Sequence, residues 1–244
     1  MWPDIIAKAV RPPAERKGKI YAAIGTGCHA GAAAMATQII KAESATLEAG
    51  QSTALKTCRE IALAGVEYDE TTTSIAVAEK QILRMVATFH ADIVPELKPK
   101  RIELRRLVTI NNEYELSGMM DLETVIGEIY DWKFGHVWRT CKAQLGGYSL
   151  IRRAYEKTAT PAIISCHTAR VGVKKPQPAT ERRVYDVTSA EKLALEIVQM
   201  IIRDMTAFQK NGNPAAFPCN PMSMMCGPKY CISYDSEWCR ADLW

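Results

Sequence analysis

Residues 114–133 read YELSGMMDLETVIGEIYDWK, and the fold turns on this stretch. Tyr114–Leu122 and Val125–Lys133 each read as an extended strand, with a tight turn expected near Glu123-Thr124. The turn brings Asp121 and Asp131 close together on neighbouring strands. Two converging carboxylates repel unless a cation holds them, and Mg2+ favours such hard oxygen ligands. Lys133 lies two residues beyond Asp131, so strand alternation puts both side chains on one face. An ammonium there can orient an attacking water or offset charge on a phosphate. Asp-x-Lys alone is short and common and by itself reads as a surface ion pair, so its surroundings decide.

Upstream, Arg101–Ile110 alternates through Ile102 and Leu104 and gives a further strand. Asn111-Asn112 makes the turn between the two, since Asn tolerates positive φ. Three short strands in succession predict an antiparallel meander. Before them the chain reads as helical: about Ala30–Gly50, Ser52–Ala64 and Thr73–His90, ended by Pro95 and Pro99. After them a helix is expected over about Arg139–Lys157, a buried strand over Pro161–His167, a Lys/Pro-rich loop over Val171–Thr180 and a strand over Arg182–Val187. A long helix capped by Ser189 then runs to about Lys210, where Asn211-Gly212-Asn213-Pro214 stops it.

Of the 244 residues 48% are hydrophobic and 24% charged, which suits a globular protein with one sizeable core. The net charge of +4 permits a polyanionic partner without demanding one. No apolar run nears the roughly 20 residues that span a bilayer. Met1-Trp2-Pro3-Asp4 does not begin a secretory signal, so a cytoplasmic location, in a bacterium or a phage-infected cell, and no membrane partner are expected. The chain has no Gly-x-x-x-x-Gly-Lys-Ser/Thr phosphate loop, which excludes a motor ATPase of that kind.

In order, the chain carries Gly25-Thr26-Gly27-Cys28-His29, Glu103, Gly118-Met119-Met120-Asp121, Asp131-Trp132-Lys133 and Gln144-Leu145-Gly146-Gly147-Tyr148. His29 opens the first long helix in this reading, and Gln144 and Tyr148 share a helix face. This series resembles the RecB-like branch of the PD-(D/E)xK nuclease superfamily, which includes phage exonucleases and CRISPR-associated nucleases; the resemblance runs from Gly25 to Cys239. It implies an α/β (α+β-like) fold, with a restriction-endonuclease-like αβββαβ core, an extra N-terminal helical region and a Cys-rich C-terminal tail. Residues 1–212 would form the nuclease domain (helical 28–92, sheet core 100–188, helix 189–210), with 213–244 as a tail packed on it.

The resemblance further implies that His29, Asp121, Asp131 and the carbonyl of Trp132 bind Mg2+ or Mn2+. Lys133 would be the catalytic lysine, and Gln144 and Tyr148 would brace it or contact the DNA backbone. Glu103 would join them, although a solvated strand-edge Glu reads the same way. His90, His136 and His167 have no such context. The expected activity is metal-dependent hydrolysis of DNA phosphodiesters, as an exonuclease at DNA ends in recombination, repair or phage DNA metabolism. The alternatives are a structure-specific endonuclease and a non-catalytic DNA-binding scaffold. A recombinase or another recombination or defence protein would be the partner. Arg105, Arg106, Arg139, Lys142, Arg152 and Arg153 could follow the DNA backbone, and a solvated helix face accounts for them equally.

Of eight cysteines, Cys28, Cys58, Cys141 and Cys166 are scattered and read as small buried hydrophobes. Cys219, Cys226, Cys231 and Cys239 crowd a Gly/Pro-containing stretch and suggest a metal centre in a reducing compartment. Their intervals do not match paired zinc ligands, and iron–sulfur clusters tolerate irregular ones. A [4Fe–4S] cluster, Zn2+ and free thiols all remain open. RecB-like nucleases commonly pin the C-terminus with a four-iron cluster that uses one early cysteine. Here no cysteine precedes Cys28, which adjoins His29.

Overall fold

The computed structural model describes residues 18–111, 113–136 and 140–211. Cys219, Cys226, Cys231, Cys239 and Arg139 lie outside the described residues. The chain divides into two units, Lys17–Leu195 and a second formed by Met1–Arg16 with Glu196–Trp244. The first unit is a mixed α/β fold built on a five-stranded mixed sheet.

Its elements are β1 (Gly18–Lys19), α1 (Ile20–Ile40), α2 (Leu47–Leu63), β2 (Val66–Glu67), α3 (Ile75–Asp92), β3 (Pro99–Thr109), β4 (Glu115–Thr124), β5 (Ile129–Gly135), α4 (Lys142–Glu156), β6 (Ile163–Ala169) and β7 (Glu181–Tyr185), followed by the start of α5 (Val187–Asn211). The five-stranded sheet has the order β3-β4-β5-β6-β7. Pairing is antiparallel except between β5 and β6, which run parallel with α4 as their crossover. The expected order of three strands, helix and strand is therefore present. Among the described residues no helix is long and apolar enough to cross a membrane.

Two cores flank the sheet. One joins α1, α2 and α3 to Leu122, Tyr130, Trp132, Ile164 and Cys166. The other joins α4 and the start of α5 to Met120, Ile129 and Ile163. Cys28, Cys58, Cys141 and Cys166 are buried and none is in a disulfide among the described residues, as their scattered placement suggested.

The helical boundaries depart from the sequence reading. One helix was expected over about Ala30–Gly50, whereas α1 ends at Ile40 and α2 starts after Thr46, whose hydroxyl caps it by accepting from the Ala49 N–H. The glycines at positions 25 and 27 resembled a loop before the helix. They lie inside it. A Cβ on Gly27 would sit 2.6 Å from the Ala54 carbonyl oxygen, and one on Gly31 2.5 Å from that of Gly50. Missing side chains let α1 and α2 approach closely. The turn expected at Glu123-Thr124 comes later, at 125–128; Glu123 is a fully buried strand residue paired with Arg152. The cap of α5 is Asp186 rather than Ser189, since Asp186 Oδ1 accepts the Ser189 N–H at 2.8 Å.

Candidate active site

β4 and β5 pair only through Leu122↔Tyr130 and Glu123↔Ile129. Continuing that register sets Asp121 opposite Asp131, and there the ladder stops. Past this point the Trp132 N–H donates to Asp121 Oδ2 at 2.7 Å. A side chain thus replaces the missing strand partner and satisfies a backbone donor that burial would otherwise orphan.

A second irregularity meets the first. Ile102 and Leu122 pack into the core under α1–α3, whereas Leu104 and Met120 pack into the core under α4. Residues two apart on a regular strand would share a face. Between them stand Glu103, with φ +47°, and Asp121 opposite it. Both strands therefore reverse faces at this pair. A left-handed backbone at a non-glycine residue inside a strand is strained, and such strain gathers at functional sites.

Near Asp121 stand three of the predicted residues, His29, Asp131 and Lys133. His29 lies near the middle of α1, not at its start as expected. Two residues on from Gly27 is about 200° around a helix, so the imidazole points away from α2. It packs edge-on against Phe134, with ring centroids 5.3 Å apart, and its Nδ1 lies 3.7 Å from Asp121 Oδ1. Asp131 is 1% exposed. Its Oδ1 accepts from Lys133 Nζ at 2.8 Å, while Oδ2 is buried without an N–H or O–H donor. The Cys141 thiol, a weak donor, adjoins this carboxylate. The Trp132 indole is buried against Phe89, so the residue meets the site through its backbone.

Tyr148 stands on the α4 side of β4. A Cβ on Gly118 would lie 2.7 Å from its ring, which explains the glycine three residues before Asp121. Gln144 Nε2 donates to the Tyr148 hydroxyl at 2.6 Å, and the charges of Asp131, Asp121 and Lys133 reach that phenol.

Burial, reinforced by Asp131, pushes Asp121 up to about 7. Burial also raises Asp131 despite the Lys133 ammonium beside it. Burial and then Lys133 push His29 down to about 4. The 3.7 Å contact is therefore a neutral imidazole beside a carboxyl group, not an ion pair. Burial opposes the Lys133 charge, but Asp131 and Asp121 outweigh it and raise that lysine. Among the described residues, no three His, Cys, Asp or Glu side chains already converge tightly enough to enclose a metal ion. The acceptors left over are His29 Nδ1, Asp121 Oδ1 and the buried Asp131 Oδ2, all borne by the same constellation.

Arg106, Arg152 and Arg153, which on sequence suit a DNA backbone or a solvated helix face equally, are engaged within the fold. Arg152 is buried on Glu123, Arg106 is paired with Glu156 over the Tyr155 ring, and Arg153 is paired with Glu191. These charges are spent on holding α4 to its neighbours. His90, His136 and His167 each bond a backbone carbonyl, as their lack of context suggested. Phe134, which seats His29, and Cys141, beside Asp131, were not foreseen. Phe134 follows Lys133 directly in the chain, but nothing local marks Cys141.

No family model and no curated protein matches the chain. A crystal structure described as a "Putative exonuclease" from Eubacterium rectale matches at 13% identity and a TM-score of 0.48, covering 73% of this chain and 75% of that one. At that level of likeness the functional reading rests on the residues themselves.

Proposed function

We propose that the chain is a divalent-metal-dependent DNA nuclease with a restriction-endonuclease-like core of the RecB-like type. The observation that carries this reading is Asp131 Oδ2, a buried carboxylate oxygen without an N–H or O–H donor, where the β4–β5 ladder breaks opposite Asp121. Burying two carboxylates side by side is costly unless something positive offsets them. Lys133 offsets part of that charge, and a divalent cation would offset the rest.

His29 Nδ1, Asp121, Asp131 and the Trp132 carbonyl would hold Mg2+ or Mn2+. When bound, the ion supplies Lewis-acid polarisation of a phosphate and a more acidic water. The chain's own groups do the remainder. Asp121 is fixed by the Trp132 N–H, and His29 is kept neutral with a free lone pair. The Lys133 side chain is 34% exposed, so its ammonium can reach from Asp131 towards a phosphate oxygen and offset charge developing there. Tyr148, held by Gln144, bounds the site on the α4 side.

Exonucleolytic cutting of DNA ends, in recombination or repair alongside a recombinase, follows from the resemblance. Endonucleolytic cutting is the alternative. Cys219, Cys226, Cys231 and Cys239 would hold a [4Fe–4S] cluster, or Zn2+ in its place, and brown protein rather than colourless zinc protein distinguishes the two. The nuclease reading is tested with end-labelled single- and double-stranded DNA in Mg2+, Mn2+ or chelator. Metal-dependent cutting that Lys133→Ala abolishes, with DNA binding retained, is expected. Unchanged cutting by that variant refutes the assigned site, and binding without cutting by the native chain favours a scaffold.

A further inference from the structure

The segment from Arg170 to Thr180 connects β6 to β7 and has no regular structure, yet it is tied down along its length. The Arg84 guanidinium donates to the carbonyls of Gly172 (3.4 Å), Val173 (3.0 Å) and Lys175. Gln81 Nε2 reaches the Val171 carbonyl at 3.4 Å, and Gln177 Nε2 turns back onto the Ala169 carbonyl at 2.7 Å. At the far end Asp92 accepts the Thr180 N–H at 2.7 Å. A solvated connector needs none of this.

The secured loop presents Lys174 and Lys175, both exposed. Neither is in an ion pair among the described residues, whereas the neighbouring Arg170, Arg182 and Arg183 are paired with Asp69, Glu96 and Glu181. Arg84 spends its donors on carbonyls and has no acid in an ion pair among the described residues, so it adds to the local positive field. The position is also informative. Lys133 is aligned with His167 on the parallel β6, and the Arg170 N–H bonds the Gly135 carbonyl. The loop thus begins three residues beyond the level of Lys133. At roughly 3.3 Å per residue that is about 10 Å, or about three nucleotide steps of roughly 3.4 Å.

We propose that this loop is a preformed clamp for the phosphate backbone of a DNA strand, with Lys174 and Lys175 as the contacts and Arg84 as the residue that positions them. The inference rests on the nuclease reading above. Ordering the loop before binding matters because a mobile loop gives up much of each contact to lost conformational freedom.

The test is equilibrium binding of a labelled 20-nucleotide single strand and the matching duplex, by the full chain carrying Lys133→Ala, from 50 to 300 mM KCl. Adding Lys174→Ala with Lys175→Ala is expected to weaken binding about tenfold at 100 mM. Two lost phosphate contacts lower the slope of log K against log[salt] by about 1.4 on the single strand and 1.8 on the duplex. Lys41→Ala with Lys56→Ala, an equal charge change at exposed positions just past the end of α1 and on α2, is expected to leave both unchanged. Arg84→Gln is expected to weaken binding with a smaller loss of slope. Unchanged affinity and slope in the Lys174/Lys175 variant, or equal losses in the Lys41/Lys56 variant, would overturn the clamp while native cutting still supports the nuclease. Binding that depends on Lys174 and Lys175, with no metal-dependent cutting by the native chain, would refute the nuclease and retain the clamp.

Discussion

Asp121 accepts the Trp132 N–H at 2.7 Å, so the acid of one motif caps the backbone of the other where β4 and β5 stop pairing. The two motifs are thereby locked together by a single bond, and the carboxylate keeps Oδ1 for other work.

Protonation at this site is coupled to stability and to metal binding. Asp121 keeps its proton up to about pH 7 in the fold but releases it near 4 when unfolded. Its contribution therefore declines as pH rises through that window. His29 stays neutral down to about 4 in the fold and is protonated below about 6.5 when unfolded, so its contribution improves as pH rises. The two oppose one another between about 4 and 6.5; above that the decline of Asp121 runs on to about 7, and the raised Asp131 adds to the loss in the same direction. In chelator, the native chain is expected to lose more Tm between pH 6.5 and 8 than Asp121→Asn, measured by thermal unfolding. Mn2+ affinity is expected to rise up to about tenfold per pH unit below 7 and then level off, since binding displaces the Asp121 proton.

Gly118→Ala tests the support under Tyr148. The new methyl would lie 2.7 Å from the ring on one side and 3.1 Å from Ile151 on the other, so Tyr148 and its bond to Gln144 must shift. Overpacking of this kind costs about 1–3 kcal/mol. A drop in Tm with a loss of cutting larger than that of Gln144→Ala is expected in parallel denaturation and cleavage assays. Native stability in Gly118→Ala would refute the contact.

Glu103 tests the face reversal. In an ordinary strand, Val would suit this position. At φ +47° a β-branched residue is strained, so Glu103→Val is expected to destabilise by about 2 kcal/mol. Glu103→Gly is expected to lie within about 1 kcal/mol of native, because glycine adopts that backbone freely. Urea denaturation compares the two, and a Val variant as stable as the Gly variant would argue for a regular strand.

Strand positions were legible because alternation through 115–124 and 129–135 is a local signal, and the motif order brought Asp121, Asp131, Lys133, Gln144 and Tyr148 into one candidate site. His29 was found as a residue but misplaced in its helix. Gly27 resembles a helix breaker until the approach of the Ala54 carbonyl is known, and that contact is tertiary. The reversal at Glu103 was hidden because Ile102 and Leu104 alternate perfectly well on paper, yet serve opposite cores. Arg152 looked like a surface cation because nothing in the sequence reveals that Glu123, taken for a turn residue, waits for it in the interior. The contact of Cys141 with Asp131 likewise depends on where the chain leaves β5 and enters α4.

Equilibrium Mn2+ binding to the full chain, followed by electron paramagnetic resonance at pH 8 after removal of other metals, tests the site most directly. Native protein is expected to take up Mn2+ in a component that Asp131→Asn weakens at least tenfold and His29→Ala weakens measurably, with thermal unfolding showing both variants folded. Equal Mn2+ uptake by native protein and folded Asp131→Asn would contradict a cation held between these strands.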